Sequence, residues 1–467
     1  MDTFLKWSKD QGVECSLVQV KPDSYGGYGL FATTTIEPDS QPVLRIPNHL
    51  VIDAQRTLDD PGLAELLGQL LPPGPVEEIL TNPALQRLAL RLFLVYHREK
   101  ATSFWKPYLD CVPDLSHMKK HHLFFRTDLD ACYDGTSVAL AVNSKREQLE
   151  REHARISGCA PWLTLEQWTW AECVFNTRVV DLDENQDDER YALVPFFDFA
   201  NHSSDPTIRW RWGQDSLDFV TFDDQTESIA PDTQVCISYG QKSNQELLYM
   251  YGFSLPDNHA PARVVMEHVD LFEVREFDLH NSWDIAHLCF IQSQAELLPP
   301  ITYFSPPKED ESHMDPPHTV FSNTGWTFAA LVFMYLAALD SETVTYYADL
   351  PHRGGRVALH TLQNLDADEL ADTPVLADIG GELCHDLQDA LLAIVKLPQL
   401  PRIQHRVCSL LVDMAHYHIN RIDAALGKMK GEDDALYSSL RIYCSDERRL
   451  LDDAARLTQE RQSTLVV

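Results

Sequence analysis

The side chains of this sequence that could do chemistry fall in a few short clusters. Tyr239-Gly240 and Tyr251-Gly252 each set a phenol beside a glycine, Asn201-His202 joins an amide to an imidazole, and Arg178 ends the run Phe175-Asn176-Thr177-Arg178. A glycine-rich turn, Tyr25-Gly26-Gly27-Tyr28-Gly29, lies near the N-terminus. A guanidinium fork suits a carboxylate, which either a ligand or the acidic stretch 181–189 could supply. Taken singly, Tyr239, Tyr251 and Phe253 read as half-buried core aromatics, and His202 as a histidine satisfying a core hydrogen bond.

Several other chemistries do not fit. The turn lacks the G-x-G-x-x-G spacing of a dinucleotide site, and Ser203-Ser204 lies in no nucleophile elbow. His121-His122 and the pair His416 and His418 are not at i, i+4 spacing and have no acidic third ligand, so no metal is expected. Asp181, Asp183, Asp187 and Asp188 lack the glycine and closing glutamate of a calcium loop. The ten cysteines form no Cys-x-x-Cys pair, which argues for free thiols in a reducing compartment rather than for zinc or a disulfide framework.

The elements that must position these residues alternate in type. Residues 13–20, 29–32 and 43–47 read as strands around glycine-rich turns. From about residue 62 the period changes: Leu85, Leu88, Leu92 and Val95 share one helix face behind Pro83, and Thr164 is placed to cap a helix over 165–175. Strands return at 192–197, 217–222 and 235–239, with a helix from 243 to 252. The prolines of 256–261 mark a domain boundary, and the segments 403–426 and 436–457 are long periodic helices, with a Pro-rich acidic loop at 299–317. This predicts an α+β chain: a β-rich domain over 1–258, split by a helical insert at about 60–185, then an all-α domain over 259–467.

At 467 residues two domains are the natural reading, and 44% apolar with 23% charged residues is the balance of a soluble globular protein. No run reaches the roughly 18 apolar residues that a membrane span needs. The N-terminus reads as a short amphipathic helix rather than a signal peptide, so a cytosolic or nuclear location is expected. With 71 acidic against 38 basic side chains the formal charge is −33. That surface disfavours nucleic acid and suits a basic protein partner, or serves solubility alone. Nothing in the sequence sets an oligomeric state.

Four segments together resemble the SET methyltransferases of the Rubisco large-subunit methyltransferase branch. They are Gly27-Tyr28-Gly29-Leu30-Phe31-Ala32; Ser103-Phe104-Trp105-Lys106-Pro107-Tyr108-Leu109 with Val112-Pro113; the run from Leu193 through Asn201-His202-Ser203; and Val235-Cys236-Ile237-Ser238-Tyr239-Gly240, leading to Tyr251-Gly252-Phe253. The likeness covers residues 1–255 well and the remainder more loosely. It implies a SET fold in which the Asn-His and Tyr-Gly segments thread through one another as a pseudo-knot, followed by a helical substrate-binding domain.

By that resemblance the chain is a protein-lysine methyltransferase using S-adenosylmethionine. Gly27, Tyr28 and Gly29 would contact the cofactor through backbone, Arg178 would pair with its carboxylate, and Asn201 would anchor its amino group. His202 would meet the adenine through backbone, and Phe253 would pack beside it. Tyr239 would orient the acceptor, and Tyr251 would line the lysine channel. A lysine holds its proton to a pKa of about 10.4, so freeing it at neutral pH costs roughly 4.6 kcal/mol. A dry aromatic channel and a nearby sulfonium both lower that cost, and no dedicated base is needed.

Two positions depart from or discriminate within the family pattern. Several members carry a glutamate where Gly26 stands, which raises the alternative of a SET-like scaffold with weak catalysis. Relatives that methylate an actin histidine carry an asparagine where this chain has Val180, which favours lysine over the second alternative, histidine. Ribosomal proteins or a translation factor are the favoured substrates.

Overall fold

The computed structural model describes residues 1–23, 27–38, 42–71, 74, 76–182, 190–305, 324–362, 370, 373–429 and 434–465. Tyr25, Gly26, Asp183, Asp187, Asp188 and most of the Pro-rich loop lie outside the described residues. The chain divides into two units. The first takes Met1–Thr127, Val142–Lys242 and Glu246–Phe253; the second takes Asp128–Ala141, Ser243–Gln245 and Ser254–Val467.

Among the described residues the first unit is built on three small antiparallel sheets, each joining chain from before the helical insert to chain beyond it. Tyr28–Ala32 lies between Val18–Pro22 and Gln234–Val235. Ser216–Val220 lies between Leu44–Pro47 and Arg209–Trp212, and Tyr191–Leu193 between Ile52–Asp53 and Val179–Asp181. Period-two burial sets the faces: Leu44 and Ile46 are buried while Arg45 and Pro47 are half-buried. The register Leu30↔Val235 and Phe31↔Gln234 then carries the Gly-Tyr-Gly turn to the segment that bears Tyr239.

The insert is helical for reasons visible in its caps. Asn82 accepts from the backbone N–H groups of Ala84 and Leu85, with Pro83 at the first helical position, and starts Pro83–Glu99. Thr164 and Gln167 form a reciprocal capping box that starts Leu165–Arg178. The second helix buries Trp168, Trp170, Val174 and Phe175, each worth about 1.5–3 kcal/mol of apolar burial. Between the two helices Glu172 is fully buried and clamped by Arg87, Arg91 at 3.0 Å and Lys145 at 3.3 Å. Arg178, the last residue of Leu165–Arg178, is delivered by that packing.

The second unit is mainly helical, with Leu400–Lys428 and Ala435–Ser463 as its longest elements. Ile403, Val407, Leu411, Met414 and Ile422 form the buried stripe of the former. The reading of this part as all-α needs correction, because two sheets accompany the helices among the described residues. Val344–Leu350 pairs with Gly355–Ala358 and Leu376–Ile379, the last extended by Glu382–Cys384; Arg263–Met266 pairs with Ile301–Phe304. Residues 128–141 belong to this unit because Ser137 donates from its N–H and hydroxyl to buried Glu447, at 2.7 and 2.8 Å, and Val138 N–H donates to the Tyr443 hydroxyl. Among the described residues no helix is long and apolar enough to cross a membrane.

Candidate active site

Two segments distant in sequence are laced together in the first unit. Ile237 N–H donates to the Asn201 carbonyl and Ser203 N–H to the Ile237 carbonyl, both at 2.9 Å. Thr207 and Ile208 N–H groups both donate to the Cys236 carbonyl, at 3.0 and 3.2 Å. The Asn-His segment and the segment leading to Tyr239 therefore run side by side through a parallel bridge, the adjacency that the pseudo-knot reading requires. Both Ile237 backbone bonds go to the residues flanking His202, so this ladder does not use the backbone groups of His202 itself.

A strained turn launches the Asn-His segment. Phe196 has φ of 80°, a left-handed conformation that bulky residues adopt only when their surroundings hold them, at a cost of about 1–3 kcal/mol. Here buried Phe4 of the N-terminal helix Asp2–Asp10 packs against Phe196 and Phe199, with ring centroids 5.7 and 5.6 Å away. The single 3-10 turn Phe197–Phe199 follows and places Asp198 and Asn201.

The aromatic residues of the site come together. Tyr239 stacks on Tyr251 with centroids 4.9 Å apart, and Phe253 lies 6.1 Å beyond Tyr251. Gly252 makes this possible, since its φ is 81° and a Cβ there would come 2.5 Å from the His121 carbonyl oxygen. Tyr239 N–H donates to His202 Nδ1 at 3.1 Å, and the Tyr239 hydroxyl donates to the Ala200 carbonyl at 3.2 Å. The core hydrogen bond foreseen for His202 is thus made by its ring. Burial lowers the His202 pKa, so the imidazole is neutral and Nδ1 is free to accept.

Burial also raises the Tyr239 pKa, with Tyr251 adding to the effect, and pushes Tyr251 up to about 12, with Glu246 adding. Both side chains are therefore phenols at neutral pH. They can orient a nitrogen acceptor but cannot serve as bases.

At the glycine-rich turn, Gly27 N–H donates to Asp23 Oδ1 at 2.8 Å. Asn201 Nδ2 donates to Asp23 Oδ2 at 3.0 Å and to the Tyr28 carbonyl at 3.2 Å. Gly29 is required here: a Cβ would come 3.1 Å from Asn201 Nδ2 and 2.4 Å from Gln234 Nε2. The turn and the Asn-His segment thus share one polar corner.

Arg178 occupies a position the sequence left open. Its Nε lies 3.0 Å from Asp198 Oδ2, which also accepts from the Tyr108 hydroxyl at 3.2 Å, and Nη1 donates to Thr177 Oγ1 at 2.8 Å. An ion pair with Asp198 holds this guanidinium; residues 183–189 of the acidic stretch lie outside the described residues. Burial raises the Asp198 pKa despite Arg178, and its buried Oδ1 has no hydrogen-bond partner among the described residues. Arg178 and Asp198 both influence the Tyr239 phenol. Asp198, Tyr108 and Asp23 are residues of this region that sequence reasoning missed. The signal for Asp198 was one charge inside the aromatic run Phe196-Phe197-Asp198-Phe199.

No protein-family model matches the chain. The protein-lysine N-methyltransferase EFM1 of Saccharomyces cerevisiae is 23% identical over 305 residues, covering 54% of this chain and 49% of that protein. The actin-histidine N-methyltransferase of Rattus norvegicus is 24% identical over 280 residues (56% and 43%), and the N-lysine methyltransferase setd6 of Salmo salar 26% over 185 (36% and 40%). The chain thus spans less than half the length of these curated relatives. Solved structures of Rubisco LSMT bound to AdoMet, and of the SET domain of LSMT bound to lysine and AdoHcy, superpose with a TM-score of 0.62 at 17% identity, covering 99% of this chain and 92% of theirs. With its paired Asn-His and Tyr239 segments and its helical C-terminal region, the chain has the split SET fold of the Rubisco large-subunit methyltransferase type.

Proposed function

We propose that this chain is an S-adenosylmethionine-dependent protein-lysine N-methyltransferase. The observation that carries the reading is the meeting of Tyr239 with both halves of the site: it stacks on Tyr251 at 4.9 Å and is bonded to His202 and Ala200. The names of the yeast and salmon relatives support the same activity.

The residues present fit the cofactor. Asn201 and the Tyr28 carbonyl offer polar partners for an amino group, and Gly29 leaves space that a side chain would fill. Arg178 is the cation for a carboxylate, and Phe253 an aromatic surface for adenine. Bound there, S-adenosylmethionine supplies a methyl group on a sulfonium, for in-line displacement by an amine. The chain's part is positional. Tyr239 and Tyr251 exclude water and, as neutral phenols, hold the amine by hydrogen bonding. Their aromatic walls favour the uncharged amine, which removes part of the roughly 4.6 kcal/mol needed to deprotonate lysine at neutral pH.

The substrate we propose is a basic protein of the cytosol or nucleus, a ribosomal protein or translation factor in preference to a histone. The chain's formal charge of −33 supports a basic partner. The second unit serves as the substrate-binding domain. Labelled S-adenosylmethionine incubated with a cell extract and the wild-type or Tyr239→Phe protein tests the activity. Label on a discrete protein band, reduced at least about 100-fold by the variant, is expected; no label from a wild-type protein that binds the donor would leave the scaffold alternative.

Histidine methylation is the second reading, favoured by the 24% identity with the actin-histidine N-methyltransferase. Val180, buried in Val179–Asp181, speaks for lysine because an apolar side chain offers an imidazole no hydrogen bond. Mass spectrometry of the labelled peptide decides between them.

A further inference from the structure

We infer that Phe4 of the N-terminal helix Asp2–Asp10 is a positioning residue for the methyl-donor site, acting through Phe196, Phe199 and Tyr108. The inference rests on the proposed methyltransferase reading and adds to it a residue outside the cluster of site residues.

Phe4 is fully buried, and its ring meets three others that serve different parts of the site. Phe196, 5.7 Å away, holds the left-handed turn from which the Asn-His segment starts. Phe199, 5.6 Å away, precedes Ala200 and Asn201 and packs edge-on to Tyr28 of the glycine-rich turn at 6.4 Å. Tyr108, 6.3 Å away, donates its hydroxyl to Asp198 Oδ2, the same oxygen that lies 3.0 Å from Arg178 Nε. One side chain thus backs the amide, the turn and the guanidinium of the candidate site, although all of them are remote from it in sequence. Removing its ring would leave a cavity against Phe196, whose φ of 80° persists only while its surroundings hold it.

The helix that carries Phe4 depends on the same packing. At 9 residues it is shorter than the roughly 12–15 that hold a helix by themselves. Two rings dock it: Phe4 on the side of the site, and Trp7 against Phe104 and Trp105 at 5.4 and 6.2 Å. Such a segment opens locally at low cost. Coupling between two places is reciprocal, so a helix that steadies the donor site must itself be steadied by a bound donor.

Calorimetric titration of the folded proteins with S-adenosylhomocysteine compares Phe4→Leu with Leu63→Ala, which truncates a buried side chain of the insert helix Pro61–Leu70. Phe4→Leu should weaken binding at least about 5-fold. Leu63→Ala should weaken it less than about 2-fold, although it lowers the melting temperature as much or more. Phe4→Met, whose flexible side chain refills more of the space, should show the same selective loss to a lesser degree and serves where Phe4→Leu does not fold. Hydrogen exchange on the wild type needs no variant. Saturating S-adenosylhomocysteine should slow the amides of residues 5–10 at least about 5-fold more than those of residues 63–70. Wild-type affinity in a destabilised Phe4→Leu protein, equal loss of affinity in Phe4→Leu and Leu63→Ala, or equal slowing in both helices would overturn the proposal. A wild type that binds no S-adenosylhomocysteine would instead defeat the methyltransferase reading itself.

Discussion

Glu172 and Asp198 are both buried acids of the first unit, and the fold treats them in opposite ways. Glu172 has three cations around it, Arg87, Arg91 and Lys145. Burial alone would raise its pKa, but these partners overcome it and hold the carboxyl at about 2. Asp198 has one cation and one phenol, its pKa is raised, and one of its oxygens goes without a partner among the described residues. The first arrangement fixes two insert helices against each other. The second leaves an incompletely satisfied acid and an arginine with one ion pair among the described residues beside Tyr239. Of this pair, the structural acid is over-paired and the acid beside the site under-paired, which is where a fold is expected to relax its own rules.

The sharpest way to break this contrast is Glu172→Gln. It leaves Arg87, Arg91 and Lys145 facing a neutral amide, and should cost about 3–5 kcal/mol of stability by chemical denaturation. A cost below about 1 kcal/mol would remove Glu172 from the scaffold. The same group should show itself in acid. Its folded pKa lies below its ordinary value of 4.5, so its contribution is complete above pH 4.5 and is lost as pH falls toward about 2. The shift corresponds to about 3 kcal/mol. The stability gap between wild type and Glu172→Gln should therefore narrow across that window, and a gap independent of pH would contradict the assignment.

Asp198→Asn should behave in reverse. Burial already opposes the charged form, so stability at neutral pH should stay level or rise. Methyl transfer should fall about 10- to 100-fold, roughly 1.4–2.8 kcal/mol, as Arg178 loses its countercharge. A destabilised variant with full activity would place Asp198 with Glu172 instead. Thr164→Ala is the smallest test: it removes one half of a capping box and should cost about 1 kcal/mol with no change in transfer by the folded protein.

Much of this layout could be read from the sequence, and unevenly. Helix starts were legible where local chemistry sets them, as at Asn82-Pro83 and Thr164 with Gln167. The Asn201, Tyr239 and Tyr251 cluster was legible only as a resemblance, because no local rule brings Leu30 to Val235 or Ile237 to Asn201. The pairing of Asp198 with Arg178 was hidden for the same reason: each partner looks ordinary until the fold places them together. The strand Val344–Leu350 carried its own signal, since Val344, Tyr346, Ala348 and Leu350 alternate inward, but helical texture on both sides masked it. Asp23 could not be found at all without the turn that bends it toward Asn201.

A crystal structure of the chain grown with S-adenosylhomocysteine tests the central claim most directly. The account predicts the ligand in the corner formed by Tyr28, Gly29, Asn201 and His202, with its sulfur directed at the Tyr239 hydroxyl. Ligand bound elsewhere, or Tyr239 turned away from the sulfur, would contradict it.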